Sequence, residues 1–84
     1  MNEQILEYRE KINQIDEELL TLLEKRMNLS IKIGKIKRES KIPIENKQRE
    51  KEILDKLKEK SDLNKELIEG VYQQIFKESK KIQI

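Results

Sequence analysis

Polar side chains occupy several positions in this sequence where a helical repeat predicts apolar ones. Arg26 is the clearest, because it interrupts a series of apolar residues spaced alternately by three and four. Lys37 follows eleven residues later, and at about 100° per residue it returns to within about 20° of the direction of Arg26. The two cations would be about 16 Å apart along a helix, so their long side chains can bracket an anionic ligand. The alternative is that Arg26 extends to solvent or pairs with an acidic residue of a second chain.

Further polar residues share the apolar faces of two later segments. Glu50 lies three residues before Ile53, next to Arg49, and Ser79 and Gln83 are four residues apart. Each alone has a simpler interpretation, since Glu50 can form a surface salt bridge within its helix and the other two can belong to a frayed helix end. Their joint occurrence with the two cations favours a polar pocket inside a helical assembly.

Three helices are predicted to position these side chains. The first runs from about residue 2 to residue 40 without proline, and Pro43 then breaks the helical pattern. The second helix covers residues 47–60, with Asn46 as its N-cap, and the third begins after Asn64, which is a second candidate cap. The sequence therefore predicts an all-α fold within a single domain over residues 1–84.

The first helix is too long for one chain to cover. At about 38 residues it would extend about 55 Å, whereas a compact chain of this length has a diameter near 30 Å. Its apolar face continues over the whole length, so a second copy of the chain is expected to cover the excess. The residues of this face are Ile5, Tyr8, Ile12, Ile15, Leu19, Leu22, Leu29, Ile33 and Ile36.

Composition excludes several kinds of chemistry. The 84 residues contain no cysteine and no histidine, so thiol nucleophiles, disulfides, Cys or His zinc sites and Ser-His-Asp triads are absent. Charged residues make up 43% of the chain with a net charge of +2, but acidic and basic residues are interspersed, which argues against a nucleic-acid-binding stripe. The opening MNEQILEYRE has no signal-peptide pattern, and no apolar run could span a membrane. A cytoplasmic location is expected.

Beyond these patterns, the chain resembles a known family. The stretch YREKINQIDEELLTLLEKRMNLSIKIGKIK, followed by IPIENKQREKEIL and IFKESKKIQ, is similar to the all-helical chorismate mutases, the AroQ class. The resemblance covers residues 5–83 and implies three helices per chain, with two chains interlocked through their long first helices. Its most specific part is the ordered spacing of Arg9, Arg26, Lys37, Arg49, Glu50, Ser79 and Gln83.

The resemblance implies roles at the two carboxylates and the ether oxygen of chorismate. Arg26 and Arg9, the latter from the partner chain, would hold the two carboxylates, with Ser79 assisting at the ring carboxylate. Lys37 would reach the enolpyruvyl side and the ether oxygen, to which Gln83 would also donate. Arg9 points about 100° away from Arg26 around the helix, which agrees with its serving the other chain.

At the other end of the substrate, the resemblance implies that Glu50 and the backbone N–H of Asn46 receive the ring hydroxyl while Arg49 supports the ring. Many relatives carry Asp where this chain has Asn46, so a change in capping and local charge is expected there without loss of activity. The catalytic set implied in this way is Lys37, Gln83, Arg26 and Glu50.

The implied reaction is the intramolecular Claisen rearrangement of chorismate to prephenate in phenylalanine and tyrosine biosynthesis. It needs no nucleophile, proton transfer, metal or cofactor, so the lack of histidine and cysteine is no objection. Two other interpretations stay open from the sequence. One is an isochorismate pyruvate lyase of the same fold, and the other is a helical dimerisation module without catalytic activity.

Overall fold

The computed structural model describes residues 2–84, and within them it contains three helices and no strand. Helix α1 covers Glu3–Glu39, α2 covers Lys47–Lys60 and α3 covers Lys65–Ile82. The all-α prediction is confirmed, and the helix limits lie within a few residues of those expected from sequence.

Helix α1 ends in a turn at which Lys41 adopts the left-handed backbone conformation, with φ of 57°. The N–H of Lys41 donates to the Arg38 carbonyl (3.4 Å), and the N–H of Ile42 donates to the Lys37 carbonyl (2.8 Å). This pair of hydrogen bonds is the Schellman pattern, which satisfies carbonyls that the end of a helix leaves without partners. The chain has thus already left the helix before it reaches Pro43.

Replacing Lys41 by glycine should raise the free energy of unfolding by about 1 kcal/mol, because a side chain in the left-handed region costs roughly 1–2 kcal/mol and glycine avoids most of that cost. Urea denaturation followed by circular dichroism measures the change. Lys41→Ala is the matched control, because it removes the same charge but keeps the Cβ atom. A gain in the alanine variant as large as in the glycine variant would contradict a backbone origin.

Helices α2 and α3 both begin at an asparagine cap. The Asn46 side chain accepts a hydrogen bond from the N–H of Arg49 (2.9 Å). The Asn64 side chain accepts from the N–H groups of Glu66 (2.8 Å) and Leu67 (3.2 Å). Both predicted caps are confirmed, and the Asn46 cap matters for the site because it fixes where α2 starts.

Helix α3 packs against both other helices. Its Ile68 and Phe76 are buried together with Leu54 of α2, and Tyr72 packs against this cluster with its ring 5.9 Å from that of Phe76. The core is small, so α3 acts mainly as the element that joins α2 to the C-terminal half of α1.

The N-terminal half of α1 projects beyond this core. The chain measures 57 × 24 × 16 Å, so the expected overhang is present. No helix among residues 2–84 is long and apolar enough to cross a membrane. A long row of apolar side chains on α1 is exposed in the single chain, namely Ile5, Leu6, Tyr8, Ile12, Ile15, Leu19, Leu20, Leu22, Leu29, Ile31, Ile33 and Ile36.

Candidate functional site

A cleft of about 400 Å³ lies where the C-terminal half of α1, the start of α2 and the end of α3 converge. This volume is in the range typical of small-molecule sites. Seven of the eight residues predicted from sequence line the cleft: Arg26, Lys37, Asn46, Arg49, Glu50, Ser79 and Gln83.

Arg26 points into the cleft. Its Nη1 donates to the Ser79 hydroxyl (3.2 Å), and its guanidinium lies 5.8 Å from the centre of the Phe76 ring. The Ser79 hydroxyl is 2.6 Å from that of Ser30, and both serines are buried. Arg26 is therefore held by neutral partners on α3 and points into the cleft.

Lys37 is held by the segment between α1 and α2. Its Nζ donates to the backbone carbonyl of Ile44 at 2.9 Å. An ammonium group has three N–H donors, so this contact leaves two for a ligand. The hydrogen bond also ties the segment after Pro43 to the wall of the cleft.

Neither cation has an acidic partner within the described part of the chain. No carboxylate of residues 2–84 forms an ion pair with Arg26 or Lys37. Both side chains are partly buried. Because a partly buried charge without a counter-ion is costly, the cleft is electrostatically suited to an anionic ligand.

Gln83 lies at the inner end of the cleft and is 7% exposed. Its Nε2 donates to the carbonyl of Ser79 (3.1 Å), which leaves the second amide hydrogen for a ligand. Its Oε1 is buried and has no hydrogen-bond partner among the described residues. A buried acceptor of this kind normally has a partner in the working protein, so a donor from a ligand or a water is expected there.

Glu50 forms the acidic part of the cleft, and its partner is on another helix. Lys80 Nζ lies 3.2 Å from Glu50 Oε2 and 3.2 Å from Glu45 Oε1. The alternative interpretation of Glu50, a surface salt bridge within α2, is therefore wrong. The hydrogen bonds to Glu50 and Glu45 raise the pKa of Lys80, and those from Lys47 and Lys80 lower the pKa of Glu45. Lys80 and Glu45 thus stay ionised at neutral pH, and the contacts of Lys80 with Glu45 and Glu50 join α3 to the start of α2.

Arg49 and Asn46 lie at the start of α2, on the rim of the cleft. Arg49 Nη1 is 3.9 Å from Glu52 Oε2, and the arginine side chain is 60% exposed. A pair this long and this exposed holds the guanidinium only weakly. Arg49 is therefore able to reorient when a ligand arrives.

Arg9 does not line this cleft. It lies seventeen residues before Arg26 on the same continuous helix, a separation of about 26 Å along the axis. No arginine side chain can reach that far, so Arg9 does not contact a ligand in the cleft of its own chain.

Sequence reasoning missed two polar residues of the cleft, Ser30 and Lys80. Ser30 follows Arg26 by four residues and so shares its direction, which is a signal that could have found it. Lys80 gave no such signal, because Lys77 three residues before it and Lys81 next to it look equivalent in the sequence.

The arrangement suits binding and charge stabilisation. Within residues 2–84, no cluster of three or more His, Cys, Asp or Glu residues could hold a metal ion. The cleft offers two cations and amide and hydroxyl donors on one side and a carboxylate on the other. Such a set can orient a charged substrate and stabilise charge that develops within it.

Fold and cleft together define an all-helical domain with a cationic site of small-molecule size. Residues 8–84 match the family model described as chorismate mutase type II, and the chain belongs to that family. The resemblance drawn from sequence is thereby confirmed.

The similar curated proteins include longer bifunctional proteins and a separate chorismate mutase. The chain is 43% identical over 72 residues to the bifunctional chorismate mutase/prephenate dehydratase of Aquifex aeolicus, covering 86% of this chain and 19% of that protein. It is 38% identical over 58 residues to the chorismate mutase of Methanocaldococcus jannaschii, covering 69% of this chain and 59% of that protein. The chain thus spans about a fifth of the length of its bifunctional relative from Aquifex aeolicus.

Two solved structures share the fold over nearly the whole chain. The chorismate mutase of Helicobacter pylori in complex with prephenate superposes with a TM-score of 0.88 at 39% identity, covering 98% of this chain and 91% of that one. A conserved hypothetical protein from Pyrococcus furiosus superposes with a TM-score of 0.86 at 31% identity, with full coverage of both chains.

Proposed function

We propose that this protein is a chorismate mutase, which rearranges chorismate to prephenate without a cofactor. The observation that carries the proposal is the pair Arg26 and Lys37, which line one cleft and have no carboxylate partner among residues 2–84. Chorismate is a dianion, so it supplies the charge that this cleft needs. The reaction breaks one C–O bond and forms one C–C bond within the same molecule, and it requires no nucleophile.

The cleft would act first on the shape of the substrate. Arg26 offers a planar fork of donors that suits a carboxylate, and Ser79, which already accepts a hydrogen bond from it, would assist at the ring carboxylate. Held in this way, chorismate would adopt the compact conformer in which the two reacting carbons are close. The substrate then loses its conformational entropy when it binds, so less entropy is lost between the bound state and the transition state.

Lys37 and Gln83 would then stabilise the transition state. Negative charge grows on the ether oxygen as the C–O bond breaks, and both side chains keep N–H donors available beside the cleft. Donors fixed in place before the reaction favour the transition state over the ground state, which is what lowers the barrier.

The ring hydroxyl would be received at the other end of the cleft. Glu50 has one carboxylate oxygen next to Lys80, which leaves the other to accept the hydroxyl. The backbone N–H of Asn46 and the exposed Arg49 side chain would complete this end. Asn46 caps α2 through its side chain, so no loss of activity is expected from an asparagine at this position.

We further propose that the working form is a homodimer interlocked through α1, with Arg9 of one chain entering the cleft of the other. Leu29 and Ile33 line the cleft, yet they are 58% and 49% exposed in the single chain. The apolar row on α1 leads away from this open side. A second α1 laid along the row would bury it, close the cleft and bring a distant arginine to the substrate.

Residues 1–84 would form one mutase domain acting in the cytoplasm, where prephenate would serve phenylalanine and tyrosine synthesis. The absence of cysteine means that the fold depends on no disulfide, which suits a reducing compartment.

A direct assay tests the function. Purified protein mixed with chorismate, in buffer containing EDTA, should remove the ultraviolet absorbance of the conjugated diene and yield prephenate, identified by liquid chromatography against an authentic standard because the two compounds are isomers of equal mass. Release of pyruvate from isochorismate, with chorismate left unchanged, would instead identify a lyase. Inertness towards both compounds would favour the dimerisation module, and either result would overturn the proposal.

A further inference from the structure

Gln83 lies just beyond the last residue of α3, at its C-cap. A helix end normally frays, because its last carbonyls have no partners in the helix. A donor that stabilises a transition state must nevertheless be held within about 0.5 Å of its working position. The position of Gln83 must therefore be fixed by another element, and α1 is the helix that contacts it.

We propose that Gly34 and Arg38 of α1 are positioning residues for Gln83, a role that rests on the function proposed above for its side chain. Gly34 would provide the space in which Gln83 sits, and Arg38 would hold its main chain. The two are four residues apart and so lie on one face of α1.

Gly34 is buried, and Gln83 occupies the space where its side chain would be. A Cβ atom built on Gly34 would lie 2.8 Å from the Cα, Cβ and Cγ atoms of Gln83. Real Cβ atoms essentially never approach other atoms so closely. Because one of these atoms belongs to the backbone, rotating the glutamine side chain cannot relieve the clash. Any larger residue at position 34 must therefore displace the last turn of α3.

Arg38 secures the same residue from one helical turn further along α1. Its Nη1 donates to the backbone carbonyl of Gln83 at 2.5 Å. That carbonyl lies beyond the helix and would otherwise depend on solvent. A charged donor makes a short and strong hydrogen bond, which suits it to hold a helix end.

Lys37 lies between these two residues in the sequence and points into the cleft. Residues 34–38 of α1 thus carry the Lys37 donor themselves. They also fix the Gln83 donor, through packing at Gly34 and the hydrogen bond from Arg38. The backbone positions from which the Lys37 and Gln83 side chains reach the cleft would then both be fixed by α1.

The chain offers a matched control for the key substitution. Gly70, its other glycine, lies within α3, and a Cβ atom added there meets nothing within 4 Å. Gly34→Ala and Gly70→Ala therefore make the same chemical change within a helix, and both replace a poor helix former by a good one. Only Gly34→Ala should disturb Gln83.

Activity provides the first readout. Gln83→Ala should lower kcat by about a hundredfold, as expected for the loss of one preorganised donor, and Gly34→Ala should lower it at least tenfold with a smaller change in KM. Gly34→Ala should add little in the Gln83→Ala background, since the donor is already gone. Arg38→Met should lower kcat a fewfold, Arg38→Lys should recover part of the loss, and Gly70→Ala should match the unsubstituted protein.

The second readout does not depend on the reaction. In a spectrum of ¹⁵N-labelled protein, the Gln83 side-chain amide, assigned by its loss in Gln83→Ala, should be protected from exchange. Gly34→Ala should move this signal towards those of exposed glutamines, while Gly70→Ala should leave it in place. An unchanged signal and unchanged kcat in Gly34→Ala would overturn the proposal. If no variant and no parent protein converts chorismate, the mutase assignment fails, and the amide signal still decides whether Gly34 positions Gln83.

Discussion

Replacing Lys37 by alanine should lower kcat for chorismate by about a hundredfold or more, which corresponds to the loss of about 3 kcal/mol of transition-state stabilisation. The lysine ammonium keeps two N–H donors for the ether oxygen once its bond to the Ile44 carbonyl is counted. Charge on that oxygen grows only as the bond breaks, so the loss should appear mainly in kcat and less in KM. Steady-state kinetics with chorismate separates the two constants.

Lys35→Ala is the control for this result. Lys35 lies on the same helix two residues earlier and is exposed, and it does not line the cleft. The variant removes one positive charge from nearly the same place along α1, so it reproduces any effect of net charge or helix stability. If both variants retained similar activity, the cation at the ether oxygen would have to be some other residue.

Much of the fold could be predicted from local chemistry. Helix ends and starts are marked by Pro43, which follows a stretch without proline over residues 2–40, and by the two asparagine caps. These are effects of neighbouring residues on the backbone. The turn at Lys41 was not predictable in the same way. A left-handed C′ residue is usually glycine, and a lysine there gives no signal in the sequence.

The basic side of the site also followed from sequence, because one helix carries it. Arg26 and Lys37 are related by the helical repeat alone, and both line the cleft. The partner of Glu50 could not be found in this way, because Lys80 lies thirty residues away and on another helix. Only the packing of α3 against α2 decides which of several similar lysines reaches it.

Gly34 shows a similar limit. A lone glycine inside a long helix reads as a weak point in the sequence, since it lowers helix stability relative to alanine. Its contact with Gln83 connects positions that are forty-nine residues apart. The reason for a glycine there becomes visible only when α3 is placed against α1, and it then relates a packing detail to a proposed catalytic donor.

The proposed exchange of arginines between chains leads to the second large effect. Arg9→Ala and Lys37→Ala proteins should each be nearly inactive, because each removes a fixed cation from every site of its homodimer. A mixture refolded together should regain about a quarter of the parent activity, since random pairing makes half of the dimers mixed and each mixed dimer has one intact site of two. The activity of the refolded mixture, compared with each variant refolded alone, measures the recovery.

Lys37→Ala mixed with Gln83→Ala provides the contrast. Both of these side chains line the cleft of a single chain, so a mixed dimer of these variants has one defect in each site and should stay inactive. Native mass spectrometry of both mixtures, with the Lys37→Ala chain labelled with ¹⁵N so that the two variants differ in mass, would establish that mixed dimers form. If mixed dimers of Arg9→Ala and Lys37→Ala formed without recovery of activity, Arg9 would not serve the partner's site. Because the distance along α1 already prevents Arg9 from reaching its own site, it would then have no contact with the substrate.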